Sequence, residues 1–242
     1  MLMQGKNAFE NLEIATEANH SQSLSSVFNL SATETVEAGE AICWEGDAAR
    51  HLFQVVDGVV RLHRIIGEGR RVITAFHFAG DIIGSFLQGT FLFTAEAVTG
   101  CKIRRVSRKS FDEEVNRSDA LRPIYINLLC KETTAAHEQM VLLSKKNAEE
   151  RMCSFILKLS MRRCSSLANG LLRLPMNRQD IADYLGLTIE TVSRTITKLA
   201  AKDIVVPEGR HDLRILNHAR LVRLSGNPDD FSNETCHRGS VH

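Results

Sequence analysis

The stretch Asn177–Leu199, "NRQDIADYLGLTIETVSRTITKL", decides how the C-terminal part of the chain folds. Asn177 suits the N-cap of a first helix, and Thr188 suits the N-cap of a second one. Between them, Gly186 is the residue type that ends a helix in the left-handed conformation. Six apolar residues have the spacing to fill a small core between the two helices: Ile181, Leu185, Leu187, Val192, Ile196 and Leu199. The stretch therefore predicts two helices joined by a tight turn, a helix-turn-helix.

The second helix carries a polar face toward its N-terminal end. Glu190, Ser193, Arg194 and Thr197 follow i, i+3, i+4, i+7 spacing, and the second helix of such a pair enters the DNA major groove. An arginine donates two hydrogen bonds to guanine O6 and N7, a glutamate accepts from the cytosine amino group, and a serine bonds either base. We assign base reading to Glu190, Ser193 and Arg194. The alternative is that Glu190 and Arg194 form only a surface ion pair, worth about a few tenths of a kcal/mol.

Other residues around the two helix starts suit the DNA backbone. Hydroxyl groups, backbone N–H groups and arginine bind phosphate, and they fix the register of a protein on DNA without reading its sequence. The residues with this expected role are Arg178, Thr188, Thr191 and Thr197.

Charge and the downstream sequence favour the same interpretation. Residues 151–225 hold 13 Lys and Arg against 6 Asp and Glu, whereas the rest of the chain holds 17 against 23. A basic domain beside a mildly acidic one is typical of a nucleic-acid reader attached to another module, although a basic solvated face is the alternative. Ile204–Leu216, "IVVPEGRHDLRIL", contains a Pro-Glu-Gly turn between apolar runs and predicts a two-stranded wing.

The first half of the chain has the pattern of an all-β domain. Between about Thr33 and Val106, short β-branched runs alternate with regularly spaced glycines, which indicates a barrel or jelly roll. In Val59–Ile65, "VVRLHRI", successive side chains point to opposite faces of a strand.

A long helix follows, with two apolar stripes. Leu129, Ala136, Met140 and Leu143 form one of them. The other has seven-residue spacing and is predicted to be the dimer seam: Leu121, Leu128, Ala135 and Leu142. Two stripes require cover on two sides, by the chain's own barrel and by the same helix of a second subunit, so a homodimer is expected. The alternative is a single wide core-facing helix without a partner.

Several classes of protein are disfavoured by composition. No apolar run approaches the roughly 20 residues of a membrane span, and the N-terminus lacks the pattern of a signal peptide, so we expect a cytoplasmic protein. The six cysteines include no C-x-x-C pair, which disfavours zinc and disulfide frameworks.

Leu174–Leu199, "LPMNRQDIADYLGLTIETVSRTITKL", resembles the C-terminal motif of the CRP/FNR superfamily of bacterial transcription regulators, in particular its FixK-like branch. The E-x-x-S-R of Glu190, Ser193 and Arg194 is similar to the base-reading signature of that branch. "FHFAGDIIG" and "TAEAVT" resemble segments of the family's β-roll, and the likeness extends from about Val36 to Leu224. The resemblance implies a homodimer, not an enzyme, that binds TTGA…TCAA-type palindromes in double-stranded DNA. It also implies recruitment of RNA polymerase, generally as an activator of genes for microaerobic respiration or nitrogen fixation.

The predicted fold class is α+β. An N-terminal double-stranded β-helix (jelly roll) of the sensor type precedes a long dimerisation helix and a C-terminal winged helix-turn-helix. The predicted boundaries are an N-terminal segment 1–31, the β-roll 32–118, the dimerisation helix 119–148, the DNA-binding domain 149–225 and a flexible tail 226–242.

The signals sensed by relatives are not expected here. Cyclic-AMP binders have a Gly-Glu and an Arg-Ser pair, where this sequence has Gly84-Ser85 and Phe93-Thr94, and a buried phosphate without an arginine would cost several kcal/mol. An iron–sulfur cluster needs four ligands, but no cysteine precedes Cys43 and Cys101 alone lies near the family position. We therefore predict no cofactor.

Two further alternatives remain. A cupin-like metal enzyme would use barrel histidines, but His51, His63 and His77 lack the H-x-H and glutamate spacing, and no metal site is predicted. Cys153 and Cys164, eleven residues apart, fall on nearly the same helix face and are possible redox thiols if they are exposed with a lowered pKa. Buried packing is the competing interpretation of both cysteines.

Overall fold

The structure, a computed structural model, describes residues 23–85, 89–162, 170–209 and 211–226. The first 22 residues of the predicted N-terminal segment, Cys164 and the tail beyond residue 226 lie outside these ranges. Within them, no helix is both long enough and apolar enough to cross a membrane.

Two four-stranded antiparallel sheets make up the N-terminal half. Their strand orders are β1-β8-β3-β6 and β2-β7-β4-β5. The strands are β1 (Thr33–Val36), β2 (Ala41–Cys43), β3 (His51–Asp57), β4 (Val59–Ile66), β5 (Arg70–Phe78), β6 (Ile82–Ile83), β7 (Thr94–Ala97) and β8 (Cys101–Ser107). First and last strands are neighbours, with Thr33 opposite Arg104 and Val36 opposite Cys101. This is the predicted jelly roll.

The rest of the chain is helical except for one small sheet. The helices are α1 (Arg108–Arg117), α2 (Leu121–Lys145), α3 (Ala148–Arg162), α4 (Arg178–Leu185), α5 (Ile189–Ala201) and α6 (His218–Leu224). The small sheet has the order β10-β11-β9 and is formed by β9 (Leu171–Arg173), β10 (Val205–Glu208) and β11 (Asp212–Ile215). The predicted two-stranded wing is confirmed as the antiparallel pair β10 and β11, and β9 adds a third strand beside β11 that was not predicted.

The described residues divide into two compact units. The first contains the described parts of Met1–Val60 and His77–Thr133, and the second those of Arg61–Phe76 and Thr134–His242. The outer part of the β4–β5 hairpin thus belongs to the unit that contains the helix-turn-helix, although it lies within the predicted β-roll boundaries. The boundaries at 118 and 148 stay predictions about sequence modules.

The core of the first unit includes a segment outside the predicted β-roll. A short 3-10 helix, Leu24–Phe28, buries Leu24 and Phe28. They pack with residues from strands and helices further along the chain: Leu52, Ile82, Phe111, Val115 and Leu121. The rings of Phe28 and Phe111 have centroids 6.0 Å apart. Part of the N-terminal segment is therefore integral to the first unit.

The turn between β3 and β4 requires glycine at Gly58. Its φ is 91°, and an added Cβ would lie 2.6 Å from the Gly100 carbonyl oxygen and 2.7 Å from the Cys101 Sγ. We expect Gly58→Ala to lower the free energy of unfolding by more than about 1 kcal/mol, because both backbone strain and the clash oppose the methyl group. Urea denaturation should measure this loss.

Gly67→Ala is the matched control, since a Cβ there meets nothing within 4 Å. It should leave stability unchanged or slightly raised. Equal effects of the two substitutions would contradict the assignment of strain to Gly58.

Candidate nucleic-acid interface

The helix-turn-helix forms through local caps, as predicted. The Asn177 side chain accepts a hydrogen bond from the Asp180 N–H at 2.8 Å and begins α4. Gly186 ends this helix with φ 61° and ψ 42°, and the Thr188 hydroxyl accepts from the Thr191 N–H at 3.3 Å to begin α5. The three residues predicted to start and stop the helices are therefore confirmed in these positions.

The predicted core of the helix pair is also present. Leu187 is half-buried, and the other five residues are buried: Ile181, Leu185, Val192, Ile196 and Leu199. With these side chains inward, the opposite face of α5 is fixed, because residues three and four apart share a helix face.

The structure brings the predicted base readers together on that outward face. Glu190, Ser193, Arg194 and Thr197 are all exposed. Glu190 and Arg194 lie on the side of α5 away from its buried residues, so both charged groups face outward. This arrangement is the one that a helix inserted in a major groove requires.

The Glu190 carboxylate is held at the start of α5 rather than by Arg194. Its own backbone N–H and then the Thr188 hydroxyl are the main causes that lower the pKa of Glu190, with a weaker contribution from the charge of Arg194. Among the described residues, no ion pair within 4.0 Å joins Glu190 to Arg194. The surface ion pair considered as an alternative is therefore not formed, and both side chains can face bases separately.

The hydroxyl groups of α5 have local partners. The Ser193 hydroxyl donates to the Ile189 carbonyl at 2.9 Å, and that of Thr197 donates to the Ser193 carbonyl at 3.1 Å. Each hydroxyl oxygen retains lone pairs, so each can still accept a hydrogen bond from a base amino group.

The four residues predicted to contact the DNA backbone differ in the exposure of their side chains. Thr188 and Thr197 are exposed and Thr191 is half-buried, with the Thr188 and Thr191 hydroxyls 3.1 Å apart. Arg178 is half-buried, and burial lowers the pKa of its guanidinium. Its Nη1 is buried without a hydrogen-bond partner among the described residues, which limits the surface it offers to a phosphate. The phosphate role of these four residues stays a prediction.

A cluster of ion pairs lies beside the reading face and was not predicted from the sequence. Lys198 lies one turn beyond Arg194, and its Nζ is 2.5 Å from the Glu149 carboxylate, which also pairs with Lys202. Burial alone would raise the pKa of Glu149, but hydrogen bonds from the two lysines outweigh it and hold that pKa below its ordinary value. Arg194, Lys198 and Lys202 are spaced four residues apart, and this spacing alone predicts a basic edge on α5. Their acidic partner lies about 50 residues away in sequence and left no such signal.

The thiol hypothesis is not favoured at Cys153. That side chain is fully buried, and burial, aided by the charge of Glu149, raises the pKa of the thiol to about 12. A reactive cysteine needs exposure and a lowered pKa, so Cys153 meets neither condition. Cys164 is outside the described residues.

The predicted dimer seam requires correction. Leu121 is only 6% exposed, and both Leu121 and Leu128 pack on the first unit's own core. Leu142 is also buried and Ala135 is half-buried. Leu121 and Leu142 of the predicted stripe are therefore covered by the chain itself, and Leu128 is partly covered. A different stripe on α2 is left uncovered.

Where a cyclic-AMP binder has its Arg-Ser pair, the described residues of the β-roll offer no group that would hold a phosphate. Phe93 and Thr94 are buried where a binder would need an arginine, and the Thr94 hydroxyl accepts from the Glu45 N–H at 3.2 Å. The Phe93 ring packs 6.0 Å from that of Phe91. The nearby Arg108 donates its Nε to the Ala49 carbonyl and its Nη2 to the Gly84 carbonyl, so it is already occupied by the protein. These residues do not fit a cyclic nucleotide.

The histidines of the barrel do not converge on a metal site. His63 and His77 are buried and His51 is half-buried. In the ranges that the structure describes, no three His, Cys, Asp or Glu side chains are placed to hold a metal ion.

A capped helix pair with an exposed polar reading helix, followed by a β wing, defines a winged helix-turn-helix DNA-binding protein. Comparison with known proteins agrees. Residues 150–224 match the Crp-like helix-turn-helix domain, and residues 33–118 match the cyclic nucleotide-binding domain. The chain belongs to the CRP/FNR family of transcription regulators.

Relatives of this family are similar over most of the chain. The nitrogen fixation regulation protein FixK of Bradyrhizobium diazoefficiens is 42% identical over 193 residues, which cover 78% of this chain and 79% of that protein. The fumarate and nitrate reduction regulatory protein of Vibrio cholerae is 33% identical over 194 residues, covering 79% and 77%. The solved structure of FixK2 from Bradyrhizobium japonicum has a TM-score of 0.76 at 33% identity and covers 81% of this chain and 97% of that one. The predicted fold class is confirmed.

Proposed function

We propose that this regulator acts as a homodimer on TTGA…TCAA-type palindromes and activates genes for microaerobic respiration or nitrogen fixation. The observation that carries the proposal is the outward face of α5, where Glu190, Ser193 and Arg194 are exposed together and are not paired with one another. These groups suit cytosine and guanine edges, the bases that interrupt the A·T pairs of such a site. Relatives named for nitrogen fixation regulation support the gene class.

Activation through RNA polymerase is part of the same proposal. Two relatives are described as a transcriptional activator protein and a transcriptional activatory protein. An activator of this kind works in the cytoplasm, at promoters where a bound dimer can contact the polymerase. The part of the proposal that concerns DNA binding includes no small ligand, because Phe93 and Thr94 stand where a cyclic-AMP binder has its Arg-Ser pair and Arg108 is bonded to the Ala49 and Gly84 carbonyls.

A largely apolar face on α2 supports dimerisation. Ile126, Leu129, Thr133, Ala136, Met140 and Leu143 follow alternating spacings of three and four residues, the heptad pattern of a two-helix seam. Leu129 is half-buried and the others are exposed, with Ile126 at 60% and Met140 at 63%. Pairing with the same face of a second copy would remove these side chains from water. We call this set the free stripe of α2.

The test of DNA binding is a fluorescence anisotropy titration of the full chain in air without cyclic nucleotide. A duplex containing TTGA…TCAA should bind at least about 10³-fold more tightly than a scrambled duplex of the same composition. Equal affinity for the two duplexes, or no binding to either, would overturn the proposal. Addition of cyclic AMP should leave the binding curve unchanged.

A further inference from the structure

A buried ion cluster joins the first helix of the helix-turn-helix to the β4–β5 hairpin. The Asp180 side chain is 1% exposed and lies on the first turn of α4. Arg61 from β4 donates its Nη1 to both carboxylate oxygens of Asp180, at 3.0 and 3.1 Å. Arg71 from β5 donates its Nη2 to Asp180 at 2.6 Å and its Nε to Asp183 at 2.7 Å. We call these four residues the α4 clamp, and all of them belong to the second compact unit.

The clamp is not explained by local helix capping. Asn177 already caps α4, and an acid on the first turn is adequately stabilised by the helix dipole while it stays in water. Here the Asp180 carboxylate is instead withdrawn from water, which is unfavourable unless well-placed charged donors replace the lost hydration. Two arginines from one hairpin supply those donors: one Arg61 nitrogen is shared by both Asp180 oxygens, and Arg71 bridges Asp180 and Asp183 with two nitrogens.

Further contacts hold the same helix from other sides. The Phe76 ring at the end of the hairpin lies 5.3 Å from the Tyr184 ring of α4. Gln139 of α2 donates to the Tyr184 carbonyl at 2.9 Å. Arg151 of α3 donates to the carbonyls of Leu185 at the end of α4 and Leu143 near the end of α2, at 2.8 and 2.9 Å. Both ends of α4 are thus bonded to neighbouring elements, namely the hairpin, α2 and α3.

We propose that Asp180 is a positioning residue whose clamp fixes the direction of α4 and α5 relative to the C-terminal half of α2. This inference rests on the proposed function, a dimer that reads a palindrome. The two reading helices of such a dimer must lie one DNA turn apart, about 34–36 Å. The clamp joins α4 to the hairpin, the Phe76 ring of the hairpin lies 6.4 Å from the Phe155 ring of α3, and Arg151 of α3 donates to the Leu143 carbonyl of α2. Since α2 carries the free stripe, these contacts and the hydrogen bond from Gln139 to the Tyr184 carbonyl together set that separation. Asp180 and Arg61 therefore determine which half-site spacing is accepted, although neither lies on the reading face.

Three duplexes test the proposal with the full chain by fluorescence anisotropy. They carry the complete palindrome, the palindrome with two base pairs inserted between the half-sites, and one half-site beside scrambled sequence. In the wild-type chain, the insertion should weaken binding strongly. Asp180→Asn should weaken binding to the complete palindrome about tenfold, within the usual range of coupling between sites, and leave half-site binding within about twofold. Its preference against the insertion should shrink, because the helix pair is no longer held at one spacing.

Two further variants keep the outcomes distinct. Arg71→Lys retains the charge but has one nitrogen in place of the two that bridge Asp180 and Asp183, so it should show the same pattern more weakly. This variant tests the proposal even if Asp180→Asn fails to fold. Arg105→Gln removes an exposed ion pair with Glu34 in the first unit and should behave as wild type on all three duplexes. Unchanged spacing preference in a folded clamp variant, or an equal loss on half-site and palindrome, would overturn the positioning role. Failure of the wild-type chain to prefer the palindrome would overturn the proposed function itself, and the clamp proposal with it.

Discussion

Replacing Arg194 with alanine should cost about 1–3 kcal/mol of binding free energy on a TTGA…TCAA duplex and relax the preference for guanine at one position of each half-site. Arg194 projects from α5 opposite the buried stripe, and its side chain is exposed. A fork of two N–H groups at this place can bond guanine O6 and N7 together. Alanine removes both hydrogen bonds and leaves those two acceptors without a protein partner.

The measurement is a set of anisotropy titrations on the parent duplex and on duplexes with each half-site base changed. Arg178→Ala is the comparison variant. It should weaken binding to every duplex to a similar extent and make the dependence of affinity on salt less steep, as expected for a phosphate contact. If Arg194→Ala loses the same affinity on specific and scrambled DNA, Arg194 does not read a base.

We expect Glu190, the acid on this face, to increase the specificity of DNA binding at the expense of its affinity. Glu190 lies on the first turn of α5, where the backbone N–H groups and the Thr188 hydroxyl favour its charged form. A carboxylate near phosphates is repelled unless it reaches a cytosine amino group, so sequences without that amino group are penalised. Arg194 and Glu190 can then read the two bases of a G·C pair, and the absence of an ion pair between them leaves each available for its own base.

The helix-turn-helix could be predicted closely because its determinants are local. The cap at Asn177, the left-handed stop at Gly186 and the cap at Thr188 act within three or four residues, and the structure has each of them. The apolar spacing then decides which side of α5 is outward. Consequently the exposed positions of Glu190, Ser193 and Arg194 follow from the sequence alone.

Features that depend on distant residues could not be predicted in this way. Asp180 and Arg61 are separated by 119 positions, and nothing in either segment indicates the other. The strand β9 has three residues and pairs with β11, about 40 positions later, which is too little pattern to recognise. Leu24 and Phe28 fall in the predicted N-terminal segment outside the β-roll, because one short turn of 3-10 helix has no periodicity that would assign it to the core.

The dimer seam shows how periodicity can mislead when a helix is covered on two sides. Two stripes of α2 are apolar, and the seam was predicted on the stripe with regular seven-residue spacing. Spacing shows that a face is apolar, but it does not show what covers the face. Leu121 and Leu128 pack on Phe111 and other residues of the same chain, so the remaining stripe is the one available to a partner.

Replacing Met140 with glutamate should therefore dissociate the dimer while the subunit stays folded. Met140 lies in the free stripe and is 63% exposed in the single chain, so a carboxylate there is hydrated in the monomer. In a symmetric pair of α2 helices, the two carboxylates would be buried close together, which costs several kcal/mol and would weaken the dimer at least about a hundredfold. Sedimentation velocity at micromolar concentration should show a monomer. This monomer should unfold in a single cooperative transition, which would show that the subunit is still folded.

Val141→Glu is the matched control on the neighbouring position. Val141 is also exposed, at 49%, but it lies outside the three-and-four spacing of the free stripe, so its substitution should leave a dimer. Binding should follow assembly: Met140→Glu should retain half-site affinity and lose the gain from the second half-site, because that gain comes from joining two reading helices in one molecule. A stable Met140→Glu dimer would show that the free stripe is not the seam. Equal dissociation by the two variants would show that added charge anywhere on α2 disrupts assembly, which the geometry of one stripe does not predict.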